Sequence, residues 1–170
     1  MPIRKTEGYC PCCCQQTEFV SENYWLRDYY ICSKCGSIPR QRALMKVLRG
    51  LYPDLKKVRI HESSPSKEMA AQFRRETDSY ACSYFVENLP LGADLGNGAT
   101  NENLEQLTLP DHSVDVFITQ DVLEHVYNPQ KAFQEIERVL SVGGGYICLL
   151  HQYGCLQKRS REGTLMEKSG

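Results

Sequence analysis

The chain has 170 residues, 20 Lys+Arg against 21 Asp+Glu, 41% hydrophobic residues and nine cysteines. That length predicts one domain with a small appendage. No apolar run reaches membrane-spanning length and no signal-peptide core opens the chain, which argues against a membrane protein and predicts a cytoplasmic one with reduced thiols. The charge is unevenly spread: residues 1–60 hold 11 Lys+Arg and 5 Asp+Glu, the remainder 9 and 16. Either the two parts attract each other, or the basic part meets an anionic partner such as RNA.

The first landmark is Cys10-Pro11-Cys12-Cys13-Cys14, followed after 18 intervening residues (counted from Cys13 to Cys32) by Cys32-Ser33-Lys34-Cys35-Gly36. Two C-x-x-C pairs at such a separation form a zinc-site pattern, because each tight turn aims two sulfurs at one tetrahedral ion. Cys10, Cys13, Cys32 and Cys35 are the predicted ligands of Zn2+. Four thiolates close the coordination sphere, so the site is expected to be structural. Cys12 and Cys14 crowd the first turn and are the substitutes. Gly36 supplies the small residue usual after such a pair; Cys14 does not. A module of residues 1–38 is too small for a core of its own. Phe19, Tyr24, Trp25, Leu26, Tyr29 and Tyr30 are expected to cover it, and can alternatively stack on bases.

Residues 39–56 read as a linking basic helix, capped by Ser37 and opened by Pro39, with Ala43, Leu44, Val47, Leu48 and Leu51 on one face. Residues 57–150 then alternate strand and helix signals. Lys57 to His61 alternates as a strand does, and a helix is expected from Ser64-Pro65, with Met69, Ala70 and Phe73 inward. Tyr80 to Phe85 is the second strand. Leu89 to Ala99 reads as a loop, and Asn101 to Leu107 brings the third strand and its loop. Val114, Val116, Phe117 and Ile118 form a short apolar run suited to a doubly buried strand. Asn128 and Pro129 open a helix that Gly143 to Gly145 are expected to end. Tyr146 to Leu150 is the last strand. Residues 151–170 read as a polar tail.

Ser113-Val114-Asp115-Val116-Phe117, Val122-Leu123-Glu124-His125, Asn128-Pro129 and Arg138-Val139-Leu140 with Gly143-Gly144 resemble the fourth strand, fourth helix and fifth strand of class I S-adenosylmethionine-dependent methyltransferases. The resemblance implies an α/β fold with a Rossmann-like, doubly wound, mostly parallel sheet, here truncated. It implies methyl transfer from S-adenosylmethionine to a small molecule, a sugar or RNA. It places the cofactor at the carboxyl ends of the strands, against Glu62, Ser63, Ser64, Tyr84, Asn103 and Gln120. His125 and Glu124 become the acid–base candidates. The chain departs from the family at its D/E-x-G-x-G loop, which here reads Glu62-Ser63-Ser64-Pro65, and at the ribose-binding acid, near which stands Tyr84. These departures predict weakened cofactor binding. They also keep a second reading open: a catalytically degenerate methyltransferase fold acting, with its zinc module, as a binding or scaffold protein. A sheet ending at the fifth strand exposes an edge, which a second copy is expected to cover in a homodimer.

Overall fold

The computed structural model describes residues 3–149. The chain divides into two compact units, the first running Met1–Leu55 and the second starting at Lys56.

The first unit contains β1 (Arg4–Cys10), β2 (Gln15–Ser21), α1 (Leu26–Tyr29), β3 (Ile31–Cys32) and α2 (Pro39–Leu51). The strands form an antiparallel sheet in the order β1-β2-β3. Proline opens α2 because its missing N–H has no partner in a first turn anyway. The preceding Ile38 N–H donates to Gln41 Oε1 at 3.0 Å. Ser37 therefore does not cap the helix as expected; it is buried beside the cysteines. Gln41, Leu44, Met45 and Leu48 recur at helical spacing and are the buried face of α2. Phe19 and Tyr30 pack 6.0 Å apart, with the Arg42 guanidinium over the Phe19 ring at 4.4 Å. The expected aromatic cover is thus partly wrong: Tyr24, Trp25 and Tyr29 are 87%, 53% and 54% exposed.

The second unit contains β4 (Ile60–Ser63), α3 (Lys67–Glu76), β5 (Tyr80–Tyr84), β6 (Asp94–Gly96), β7 (Ala99–Asn101), β8 (Val114–Gln120), α4 (Pro129–Val139) and β9 (Leu140–Leu149). One sheet runs β6-β7-β5-β4-β8-β9, parallel throughout except for β6 against β7. The chain starts in the middle at β4, winds outward through β5 and β7, then returns to the other side of β4 as β8. This is a doubly wound sheet, and its switch point lies between β4 and β8.

Alternation along the strands sends neighbouring side chains to opposite faces. Ile60, Tyr80 and Val116 stand in register on the face where Tyr80 stacks on Phe73 of α3 at 5.5 Å. His61 and Phe117 stand on the other, where Phe117, Tyr146, Ala132, Ile136 and Val139 form one cluster. Each fully buried aliphatic or aromatic side chain contributes roughly 1.5–3 kcal/mol. Asn128 caps α4 as expected, its Oδ1 accepting the Lys131 N–H at 3.1 Å, with Pro129 in the first position.

Three boundaries differ from the sequence reading. Leu89 to Ala99 is not all loop, and the third parallel strand is Ala99–Asn101, so that it ends where the expected strand and loop of Asn101 to Leu107 begin: β6 and β7 form a hairpin around Asn97 (φ 54°) and Gly98 (φ 71°). That pair of positive φ values suits the two-residue turn that Asn-Gly favours. The α3 helix starts at Lys67, capped by Ser66, whose Oγ accepts the Met69 N–H at 3.3 Å. Lastly, α4 ends at Val139, and Gly143 to Gly145 lie inside β9. Gly144 sits so close to the backbone that a Cβ there would meet Ser141 O at 2.9 Å and Asp115 O at 3.0 Å.

Candidate functional site

The cysteine cluster gathers at one end of the first unit. The Sγ atoms of Cys10, Cys13, Cys32 and Cys35 all lie within 4.8 Å of one another. Cys10 and Cys35 are 3.7 Å apart, and Cys13 and Cys32 4.0 Å. A tetrahedral ion with metal–sulfur bonds near 2.3 Å separates its ligands by about 3.8 Å. The eight described cysteines form no disulfide. Cys14 Sγ instead faces the Pro11 carbonyl at 3.8 Å. Around Cys32, burial opposes the thiolate, but the N–H groups of Cys35 and Lys34 and the Thr17 hydroxyl outweigh it and bring the pKa down to about 6. Each C-x-x-C turn is followed by a left-handed residue, Cys14 at φ 55° and Gly36 at φ 72°. The two turns therefore share one backbone design although only one of them carries the glycine.

The second candidate lies at the carboxyl ends of β4 and β8. Glu62 is fully buried and stands beside Ile118 and Cys82 in the sheet. Its two oxygens accept from Gln120 Nε2 at 2.7 Å and the Tyr80 hydroxyl at 3.0 Å. Loss of hydration raises its pKa to about 7, against the pull of those two donors. Immediately beyond β4, Ser64 takes φ 53°; immediately beyond β8, Asp121 takes φ 53°. Such residues cost of order 1–3 kcal/mol each and cluster where strand ends are shaped for function. Here they flank the switch point. Ser64 keeps its N–H satisfied by Ser83 O at 2.7 Å.

The remaining sequence-derived residues distribute as follows. Ser63 is buried at the end of β4. The Tyr84 hydroxyl donates to Pro65 O at 3.1 Å, tying the end of β5 to the β4–α3 loop. Asn103 is half-buried and its Oδ1 accepts the Glu105 N–H at 2.9 Å, which leaves the amide N–H groups as its free end among the described residues. Glu124 and His125 lie in a 3-10 turn, Leu123–His125, beyond β8. Both are exposed, with no side-chain hydrogen bond or ion pair among the described residues.

Residues 55–148 match the family model described as a methyltransferase domain. This chain belongs to the methyltransferase domain family. No curated protein sequence matches it. Among solved structures, the domain is similar to the YcgJ protein from Bacillus subtilis, with 16% identity over 62% of this chain and 49% of that one, at a TM-score of 0.50. It is also similar to an S-adenosylmethionine-dependent methyltransferase from Mesorhizobium loti, with 21% identity over 62% of this chain and 52% of that one, at a TM-score of 0.46. The chain therefore spans about half the length of these two solved structures. At such identities the likeness concerns the fold.

Sequence reasoning missed the Tyr80 contact to Glu62 and the two left-handed strand ends. The first was available in principle, since Tyr80 and Cys82 share a face by alternation and Cys82 neighbours Glu62. Nothing in the sequence announces a left-handed serine or aspartate. His61 was also unread as a buried group. Its Nε2 lies 3.0 Å from Ser83 Oγ, its ring stacks on Phe117 at 5.0 Å, and burial holds its pKa down at about 4.

Proposed function

We propose that this methyltransferase domain binds S-adenosylmethionine at the carboxyl ends of β4 and β8 and transfers its methyl group to an acceptor. The observation that carries the reading is Ser64. It stands where the family's loop carries its first glycine after the acid, and it holds a left-handed backbone of the kind that favours glycine. When bound, the cofactor supplies an electrophilic methyl group on a sulfonium.

The chain's own residues would hold and orient. Glu62 anchors the first strand end through Gln120 and Tyr80, while Ser63 and Ser64 form the turn. Asn103 offers amide donors toward the base, and Tyr84 borders the ribose position. Methyl transfer depends mainly on aligning two bound reactants. Where the acceptor must lose a proton, the exposed His125 and Glu124 are the groups to take it. The acceptor is a small molecule, a sugar or RNA.

Calorimetry with S-adenosylhomocysteine tests this. Saturable binding is expected, weaker than the low micromolar range. A missing charge-assisted bond at the ribose alone lowers affinity about 10- to 100-fold. No binding at millimolar ligand would overturn the enzyme reading in favour of a scaffold on the same fold. The features favouring that second reading are the engaged Tyr84 hydroxyl and Pro65, which contributes no N–H to the loop.

The four-cysteine cluster fits a closed structural zinc site, one ion per chain. Elemental analysis of protein purified without chelator is expected to give close to one equivalent. Less than half an equivalent would remove the assignment.

A further inference from the structure

A cleft of about 640 Å³ opens on the α3 side of the sheet, between α3, the end of β5 and the β6–β7 hairpin. It exists because the chain passes from β5 to β7 through a hairpin, and no helix among the described residues covers that part of the sheet. Its volume lies within the range usual for small-molecule sites.

One stripe of α3 forms a wall: Lys67, Ala70 and Arg74 follow one another at the spacing of a single helix face. Ala99, Leu95 and the Tyr84 ring make the floor and far side apolar. Arg74 is fixed at the mouth. Its Nη2 donates to the Asn97 carbonyl at 2.7 Å, and its guanidinium lies 5.4 Å from the centroid of the Tyr80 ring. Neither Arg74 nor Lys67 pairs with a carboxylate among the described residues. Two uncompensated cations therefore face an apolar cleft, one of them held in place before any ligand arrives.

We propose that this cleft binds a small organic anion, a carboxylate or phosphate monoester carrying a flat apolar body. The guanidinium and ammonium groups take the anionic head. The Ala70, Ala99 and Leu95 side chains take the body. The cleft shares the Tyr84 ring with the proposed cofactor site, but its two cations, Lys67 and Arg74, have no part in that site.

The test uses the full chain with its metal, observed by amide NMR. Benzoate and phenyl phosphate are the probes, with inorganic phosphate and neutral benzamide as controls. Saturable shifts are expected at Ala70, Gly96 and Asn97 for both probes, with weaker effects from phosphate and none from benzamide. Arg74→Gln is expected to weaken probe binding about tenfold or more, and Lys67→Gln by less, because the lysine is not held in place. S-adenosylhomocysteine affinity is measured in the same variants and is expected to stay unchanged. Absence of saturable shifts at millimolar probe, equal binding of benzamide, or undiminished probe binding in both variants would overturn the proposal. So would a parallel loss of S-adenosylhomocysteine binding, which would merge the cleft with the strand-end site.

Discussion

The two units of this chain solve the same problem by different means. In the second, a six-stranded sheet packs against helices whose inner faces are apolar, and Phe73, Phe117, Ile60 and Ile136 are each at most 2% exposed. In the first, three of the buried apolar residues are the cysteines Cys10, Cys12 and Cys32, and along β1 only Cys10 is buried. A three-stranded sheet whose first strand is mostly exposed, with one 13-residue helix, has little apolar area to bury. The difference teaches that a cluster of cysteines able to hold a metal can stand where an apolar core is small, and the two devices are vulnerable to different insults.

The largest expected effect separates them. Metal removal by a chelator, or Cys32→Ser, should unfold the first unit, because structural zinc binding contributes on the order of 10 kcal/mol that is also folding free energy. The single tryptophan, Trp25, lies in that unit and reports the loss by fluorescence. Amide signals from β4, β5 and β8 should persist. If they collapse with the metal, the contrast between the units is wrong.

Next in size is the apolar side. Phe117 is fully buried against His61 and Tyr146, so Phe117→Ala should cost the second unit about 3–5 kcal/mol in a denaturant melt. Metal stoichiometry should not change.

A subtler prediction concerns pH. Glu62 is raised to about 7 from an ordinary 4.5, so the native state keeps a proton that the unfolded chain has released across that window. Its contribution is present at low pH and fades as pH rises toward 7. His61 is lowered to about 4 from 6.5, so the native state refuses a proton that the unfolded chain accepts. That contribution is present above 6.5 and fades as pH falls toward 4. The two slopes oppose each other over the shared interval and largely cancel. Glu62→Gln should uncover the histidine slope, with stability of the second unit rising by roughly 2 kcal/mol between pH 4.5 and 6.5. A flat profile in that variant would show that His61 does not titrate as its burial requires.

The smallest effects compare two left-handed non-glycine turns, one in each unit. Cys14→Gly in the first unit and Ser64→Gly in the second should each stabilise by about 1 kcal/mol, since glycine holds that backbone without a Cβ clash. Only Ser64→Gly should also tighten S-adenosylhomocysteine binding, and calorimetry on the pair decides it.

How much of this could be read in advance depends on the scale of the cause. The gathering of Cys10, Cys13, Cys32 and Cys35 and the capped start of α4 at Asn128 follow from short spacings and local periodicity, while the mostly parallel sheet followed from the resemblance to the family. The β6–β7 hairpin was missed although Asn97-Gly98 is a strong local turn signal, because its strands are three residues each and no apolar run marks them. Gly143 to Gly145 resembled a helix stop because glycine serves both helix ends and irregular strands; the close approach to Asp115 O that makes Gly144 necessary comes from a distant part of the chain. Partners of Glu62 likewise depend on register, and register belongs to the assembled sheet. Trp25 and its neighbours looked like cover because composition does not say which side of a turn faces water.

The pairing of β4 with β8 has a consequence for how the molecule forms. It joins Ile60 to Val116 and Ser63 to Thr119, and Arg59 and Asp115, 56 positions apart, brace its lower end through two short hydrogen bonds between guanidinium and carboxylate. Closing so long a loop costs entropy before any contact repays it, and pairings of this kind are slow to form. The β6–β7 hairpin, by contrast, closes across two residues and belongs to the microsecond class of folding events. A partly folded chain can therefore already own the hairpin while the strand ends that frame Ser64 and Asp121 are still apart. The proposed cofactor site comes into being with the last long-range step, and saturable binding there serves as a readout that the whole sheet has closed.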